Sequence, residues 1–162
     1  MKKIGVISDT HRRSPDTFLE TVIKKHFLDV DMVIHAGDMV TMDVLDPFIA
    51  LDKEVIAVCG NMDFADVQRS YPISRTIRIE ELSIGIIHGW GSPHGIRERI
   101  RTSFENVDAI IYGHTHQAFC AYEAGIFFFN PGSPTDSRFT SSNSIGIIRI
   151  DGKMIEGEII SL

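Results

Sequence analysis

The 162 residues, 43% hydrophobic and 23% charged, suit one compact globular domain over residues 1–162 with a core of its own. Sixteen Lys and Arg against 22 Asp and Glu leave −6 at pH 7, so nucleic acid held by charge is not expected as a partner; a small phosphate substrate stays open, because bound cations reverse a local field. No apolar run reaches the about 18 residues of a membrane span, and Cys59 and Cys120, without paired metal spacing, read as reduced thiols of a cytoplasmic protein.

Met1-Lys2-Lys3 opens on charge, but the apolar run behind it stops at Ser8-Asp9, too short for a signal-peptide core. That run, residues 3–7, reads as a buried strand feeding a loop. Ser14 as N-cap and Pro15 as first helical residue then start a helix. Its apolar stripe is Phe18, Leu19, Val22, Ile23, His26 and Phe27. Residues 31–35 form a second strand ending at Ala36-Gly37-Asp38, and residues 43–51 a second helix. Residues 55–58 form a third strand ending at Cys59-Gly60-Asn61. This alternation predicts parallel β-α-β units.

Beyond Asn61 the texture changes. Residues 76–79 and 82–88 read as a hairpin turning at Glu80-Glu81. Ile96, Ile100 and Phe104 recur four apart and predict a helix, and residues 107–112 a strand ending at Gly113-His114. Residues 117–122, 126–129, 144–150 and 154–160 are late strands, with turns at Ala124-Gly125 and Asp151-Gly152. The sum is an α/β fold, a four-layer α-β-β-α sandwich of two mixed sheets flanked by helices.

Five expected strands end in polar clusters: Asp9-Thr10-His11, Gly37-Asp38, Gly60-Asn61, His88-Gly89 and Gly113-His114-Thr115-His116. Ligands of open α/β sheets bind at the carboxyl ends of strands, so these clusters converge. Asp, Asn and His are ligands for Mn, Fe, Ni or Zn. Singly, Gly-Asp and Gly-Asn are ordinary turn dipeptides, and a lone His88 is a hydrogen-bonded strand-end histidine. Gly-His-Thr-His says more, because an extended segment points alternate imidazoles to one side. Together, in this order, the five are not explained by packing.

The series Asp9-x-His11, Gly37-Asp38, Gly60-Asn61, His88-Gly89, Gly113-His114-x-His116 resembles the calcineurin-like metallophosphoesterases over about residues 4–135. The Asn130-Pro131-Gly132-Ser133 turn and the small size look most like the YfcE-type bacterial and archaeal phosphodiesterases. The resemblance implies two divalent cations, manganese first, with nickel, iron(II) or zinc as the others. It implies Asp9, His11 and His116 on one metal, Asn61, His88 and His114 on the second, and Asp38 bridging. Asp38, Asn61 and His88 then stand closest to the chemistry. A bridging water of lowered pKa would serve as the hydroxide nucleophile on a small phosphodiester.

Two departures matter. Many such relatives carry a proton-donating His after the metal-binding Asn, where this chain has Met62. Loss of a general acid costs about 10²–10⁴ in rate, so diesters or acidic leaving groups are favoured over simple monoesters. Trp90 follows His88-Gly89 where many relatives have His, and is expected to shape the substrate pocket. His94 is a helix-start residue or a substitute acid, and Arg97, Arg101 and Arg138 are phosphate contacts or solvated side chains. His35 is a support residue or packing, and His26 a core or rim residue. Competing readings are a phosphomonoesterase or nucleotide phosphatase, and a non-catalytic protein resembling the retromer scaffold subunit. A homo-oligomer is open on the sequence.

Overall fold

The computed structural model describes residues 1–162. β1 (Lys2–Ile7) buries Ile4 and Val6 on one face and Ile7 on the other. Burial on both faces is what a central parallel strand requires. β2 (Met32–His35) and β3 (Glu54–Ala57) lie parallel to it, with Val6 beside Ile34 and Ile34 beside Ile56. β9 (Ser144–Asp151) and β10 (Met154–Ser161) return antiparallel on the other side, giving the order β10-β9-β1-β2-β3.

The second sheet contains β4 (Ser74–Ile79), β5 (Leu82–Ile87), β6 (Ala109–Tyr112), β7 (Phe119–Glu123) and β8 (Ile126–Asn130). Its order is β4-β5-β6-β8-β7, with β5, β6 and β8 parallel and an antiparallel strand at each edge. Between the sheets lies a layer of 18 buried residues, among them Ile34, Ile86, Ile111, Phe127, Phe129 and Ile148. Phe128 points the other way, so the Phe triplet is buried on both sides.

Helices complete the sandwich. α1 (Thr17–His26) buries Leu19, Val22 and Ile23 against the first sheet. Each such side chain contributes about 1.5–3 kcal/mol on leaving water. A 3₁₀ turn (Met42–Leu45), α2 (Asp46–Ile49) and α3 (Ala65–Ser70) add Val44, Leu45, Phe48 and Val67 to that layer. α4 (Ile96–Arg101) covers the second sheet through Ile96 and Ile100. The two mixed sheets and flanking helices are the architecture expected from the sequence.

Three local expectations change. α1 is capped by Asp16, whose carboxylate accepts from the Leu19 N–H at 2.8 Å; Ser14 and Pro15 precede the helix. A carboxylate also attracts Arg12, at 2.9 Å, which a serine hydroxyl does not. The helix expected over residues 43–51 is a 3₁₀ turn and a single α turn, with Pro47 at the start of the α part. α3 has no strong periodic signature, since only Val67 of its six residues is buried. The strands lie within two residues of their expected ends.

Candidate metal centre

The carboxyl ends of β1, β2, β3, β5 and β6 lie on one edge of the sandwich, and their loops are tied together by backbone hydrogen bonds. Asp9 N–H donates to the Gly37 carbonyl at 3.0 Å, His11 N–H to that of Asp38 at 3.1 Å, and Gly113 N–H to that of His88 at 3.1 Å. His114 N–H donates to Asp9 Oδ2 at 3.0 Å, joining the two sheets. The approach is too close for side chains at the turn glycines. Gly37 has φ +92°, and a Cβ there would lie 2.8 Å from His88.

Asp9, Asp38, His88 and His116 are buried, and His11 is nearly so. Asp9 Oδ1 lies 3.2 Å from His116 Nε2 and 3.8 Å from both His11 Nε2 and His88 Nε2. Asp38 Oδ2 lies 3.2 Å from His88 Nε2 and 3.6 Å from His11 Nε2. Two groups of converging ligand atoms result, Asp9-His11-His116 and Asp9-Asp38-His88. Both carboxylates therefore stand between imidazoles. Beside them His114 Nδ1 lies 3.1 Å from Asn61 Oδ1. Every residue that the sequence marked as a ligand is at this edge.

The partners of the outer ring nitrogens fix which atoms face inward. A carbonyl only accepts, so His88 Nδ1–H donates to Ala36 O at 2.8 Å and His114 Nε2–H to Gly91 O at 2.8 Å. His116 Nδ1 faces Asp136 Oδ2 at 3.5 Å. His88 Nε2 and His114 Nδ1 then turn their lone pairs inward, and His116 Nε2 lies 3.2 Å from His11 Nε2. Orienting a metal-binding imidazole through its other nitrogen is the usual support of such sites. Asp9 Oδ1, His88 Nε2 and the outer His116 Nδ1 are buried with no hydrogen-bond partner. Leaving such atoms unpaired costs about 1–3 kcal/mol each, more when charged. Ligands about 2.1 Å from a first-row cation are themselves about 3–3.4 Å apart, the spacing seen from Asp9 Oδ1 to His116. The donor set and the orphaned atoms fit divalent metal.

The electrostatics agree. Burial pushes the Asp9 carboxyl up, but the imidazoles of His88, His11 and His116 around it outweigh that and hold it far below the usual range. Burial disfavours a charged His88, yet Asp9 and Asp38 raise it to about 9. The pocket demands positive charge between these atoms. Backbone geometry is strained here as well. Asp9 (φ 54°), His11 (φ 44°), Asp38 (φ 56°), His114 (φ 70°) and His116 (φ 57°) are left-handed, a conformation costing about 1–3 kcal/mol for a non-glycine residue. His114 and His116 thus face the centre from left-handed turns, and the extended alternation expected from sequence does not hold.

Several residues support these loops, and of them only His35 carried a support reading from the sequence. Asp63 accepts from the backbone N–H groups of Asp38, Val40 and Gly60, at 3.1, 2.6 and 2.7 Å. Ser133 Oγ donates to Asp9 O at 2.7 Å. Asp136 accepts from Arg138 and faces His116, and Arg138 holds its carboxyl at about 2 despite partial burial. His35 accepts from Gly37 N–H at Nδ1, 3.2 Å, so Nε2 carries the proton and donates to Thr10 Oγ1, 3.2 Å. It supports both loops. Among those the sequence did not mark, Asp136-x-Arg138 was the legible signal.

Other candidates stay outside the cluster. Arg97 pairs with Glu123 at 2.8 Å and lies over Phe119. His94 is exposed and contributes backbone contacts, while His26 is half-buried at the end of α1. Arg138 lines the 450 Å³ cavity over His11, Asp38, His114 and His116, but its guanidinium is engaged by Asp136. Met62 offers its backbone N–H to Asp38 Oδ1 at 2.7 Å, and its side chain has no proton to give. No helix is long and apolar enough to cross a membrane.

Known proteins resemble this chain in sequence and fold. A probable metallophosphoesterase of Methanothermobacter thermautotrophicus is 39% identical, over 97% of this chain and 91% of that protein. Phosphodiesterase MJ0936 of Methanocaldococcus jannaschii is 28% identical, over 93% and 95%. The solved structure of Chaetomium thermophilum Vps29 superposes with a TM-score of 0.75 at 19% identity, covering 100% of this chain and 97% of that one, a likeness of fold. Residues 1–153 match the calcineurin-like phosphoesterase superfamily domain, and the chain belongs to that superfamily.

Proposed function

We propose that the protein is a phosphodiesterase dependent on two divalent cations, acting on small diesters, as a single domain. Asp9, His11 and His116 hold one cation, Asn61, His88 and His114 the other, and Asp38 joins them. The carrying observation is the pair of buried, partnerless atoms Asp9 Oδ1 and His88 Nε2, which face each other across 3.8 Å. Two such cations supply a water acidified towards neutrality and charge stabilisation on the phosphoryl oxygens.

The chain's own residues do the rest. Ala36 O and Gly91 O hold the His88 and His114 tautomers, and Asp136 faces the outer nitrogen of His116. Met62 stands where a proton donor would assist the leaving group, and its side chain is 54% exposed. Substrates whose leaving groups depart as stable anions are therefore preferred. A net charge of −6 supports small substrates over a nucleic-acid chain. Manganese is the first choice of metal and the cytoplasm the proposed location.

Hydrolysis of bis(4-nitrophenyl) phosphate with added manganese, wild type against Asp38→Ala, tests this reading. Metal-dependent turnover lost in the variant supports it. A wild type with no turnover under any of manganese, nickel, iron(II) or zinc overturns it in favour of a binding or scaffold role.

A further inference from the structure

A second cavity, about 480 Å³, is walled at one end by Asn61 and His88, two of the proposed cation ligands. It shares Asn61 with the cavity over the metal ligands, and His88 forms part of its wall. Its remaining wall is largely apolar: Cys59, Ile73, Ile87 and Trp90. Ile87 is 2% exposed at the deep end, whereas Ile73 and Trp90, 73% and 45% exposed, stand at the mouth. Large apolar side chains left open to water beside a polar centre mark a place where a ligand covers them. The volume lies within the range of about 300–1,000 Å³ typical of small-ligand sites.

The Trp90 loop is held in advance. Gly89 (φ 97°) and Gly91 (φ 77°) flank Trp90 in left-handed conformations. The Arg99 guanidinium donates to the carbonyls of Trp90 at 3.0 Å, Ser92 and His94. His114 fixes Gly91 from the metal side. An indole with its backbone pinned on two sides needs little further ordering to receive a flat partner, which favours binding.

We infer that this cavity takes one ester group of the substrate and selects a flat aromatic one, stacked on Trp90 and against Ile73, while the phosphate lies at the Asn61–His88 end. The inference rests on the phosphodiesterase reading for the placement of the phosphate. Aromatic rings in offset-stacked contact attract one another beyond the area they bury.

Trp90 is the only tryptophan in the chain, so its emission reports on this cavity alone. In the manganese-loaded protein, excited at the red edge of the indole band, diphenyl phosphate is expected to change that emission saturably. Dimethyl phosphate, measured by competition, is expected to bind at least tenfold more weakly. Ile73→Ser, at an exposed position that carries no core packing, is expected to weaken diphenyl phosphate three- to tenfold and to raise KM for bis(4-nitrophenyl) phosphate with kcat held. Equal affinity for the two probes, no binding of either, or diphenyl phosphate binding without a Trp90 response overturns the inference. Turnover without a Trp90 response defeats the cavity assignment alone; a Trp90 response without turnover defeats the hydrolase reading and leaves the aryl-phosphate site standing.

Discussion

Asp63 Oδ2 accepts from the backbone N–H of Asp38 at 3.1 Å and from that of Gly60 at 2.7 Å, so one oxygen joins the loops after β2 and β3. Val40 N–H binds the other oxygen. Hydrogen bonds to a charged acceptor contribute about 1.5–3 kcal/mol each, and donors left without a partner cost more. Asp63→Ala is expected to destabilise the metal-free protein by about 3 kcal/mol in urea unfolding, with Asp63→Asn falling between it and wild type. An unchanged midpoint for Asp63→Ala would show that water replaces the carboxylate.

Asp136 Oδ2 lies 3.5 Å from His116 Nδ1, the ring nitrogen opposite the one beside Asp9. Removing such an outer partner typically costs about 10–100-fold in metal affinity. Asp136→Ala is expected to weaken manganese binding in calorimetric titration by that factor, while Arg138→Ala, at an exposed guanidinium, has a smaller effect. Equal losses in both variants would assign the effect to the loop instead of the histidine.

His35 gives stability a pH dependence of definite sign. Burial lowers it from 6.5 to about 4 in the folded protein, so below pH 6.5 the unfolded chain binds a proton that the folded one refuses. Its contribution is complete above pH 6.5 and is lost as the pH falls towards 4, at about 1.4 kcal/mol per unit, or about 3 kcal/mol in all. Thermal unfolding of metal-free protein between pH 7 and 4.5 is expected to show a steeper fall for wild type than for His35→Gln. Parallel curves would mean that another group carries the dependence.

The start of α1 separates two candidate caps. Asp16→Ala removes the acceptor of Leu19 N–H and is expected to cost about 0.5–2 kcal/mol, whereas Ser14→Ala is expected to be neutral in the same denaturation assay. A larger loss for Ser14→Ala would restore the cap read from the sequence.

The proposed ligands were legible because they punctuate strands: an apolar run that halts at Asp9 or His88 announces both a strand end and a polar function. The parallel core strands were legible for the same reason. Asp63 was not, because its partners are backbone amides of three separate loop positions, and an amide carries no letter of its own. His35 read equally as support or as packing, and the fold shows both: it is buried, and its two nitrogens reach Gly37 and Thr10. α3 was hidden because a six-residue helix with one buried side chain leaves no period to detect. The cap at Asp16 lost to Ser14-Pro15 on local propensity, which knows nothing of Arg12 across the turn.

The left-handed backbone at Asp9, His11, Asp38, His114 and His116 also bears on how this fold ages under mutation. At each of these positions the residue that suits the chain's conformation best is glycine, followed by asparagine. On the proposed metal-centre role, ligand chemistry forbids that exchange. Once released from that duty, a descendant gains stability by making it, and the drift has a direction. An abandoned centre of this kind would be recognised by glycine and asparagine gathering at these five positions, where a centre still under selection keeps its strained carboxylates and imidazoles.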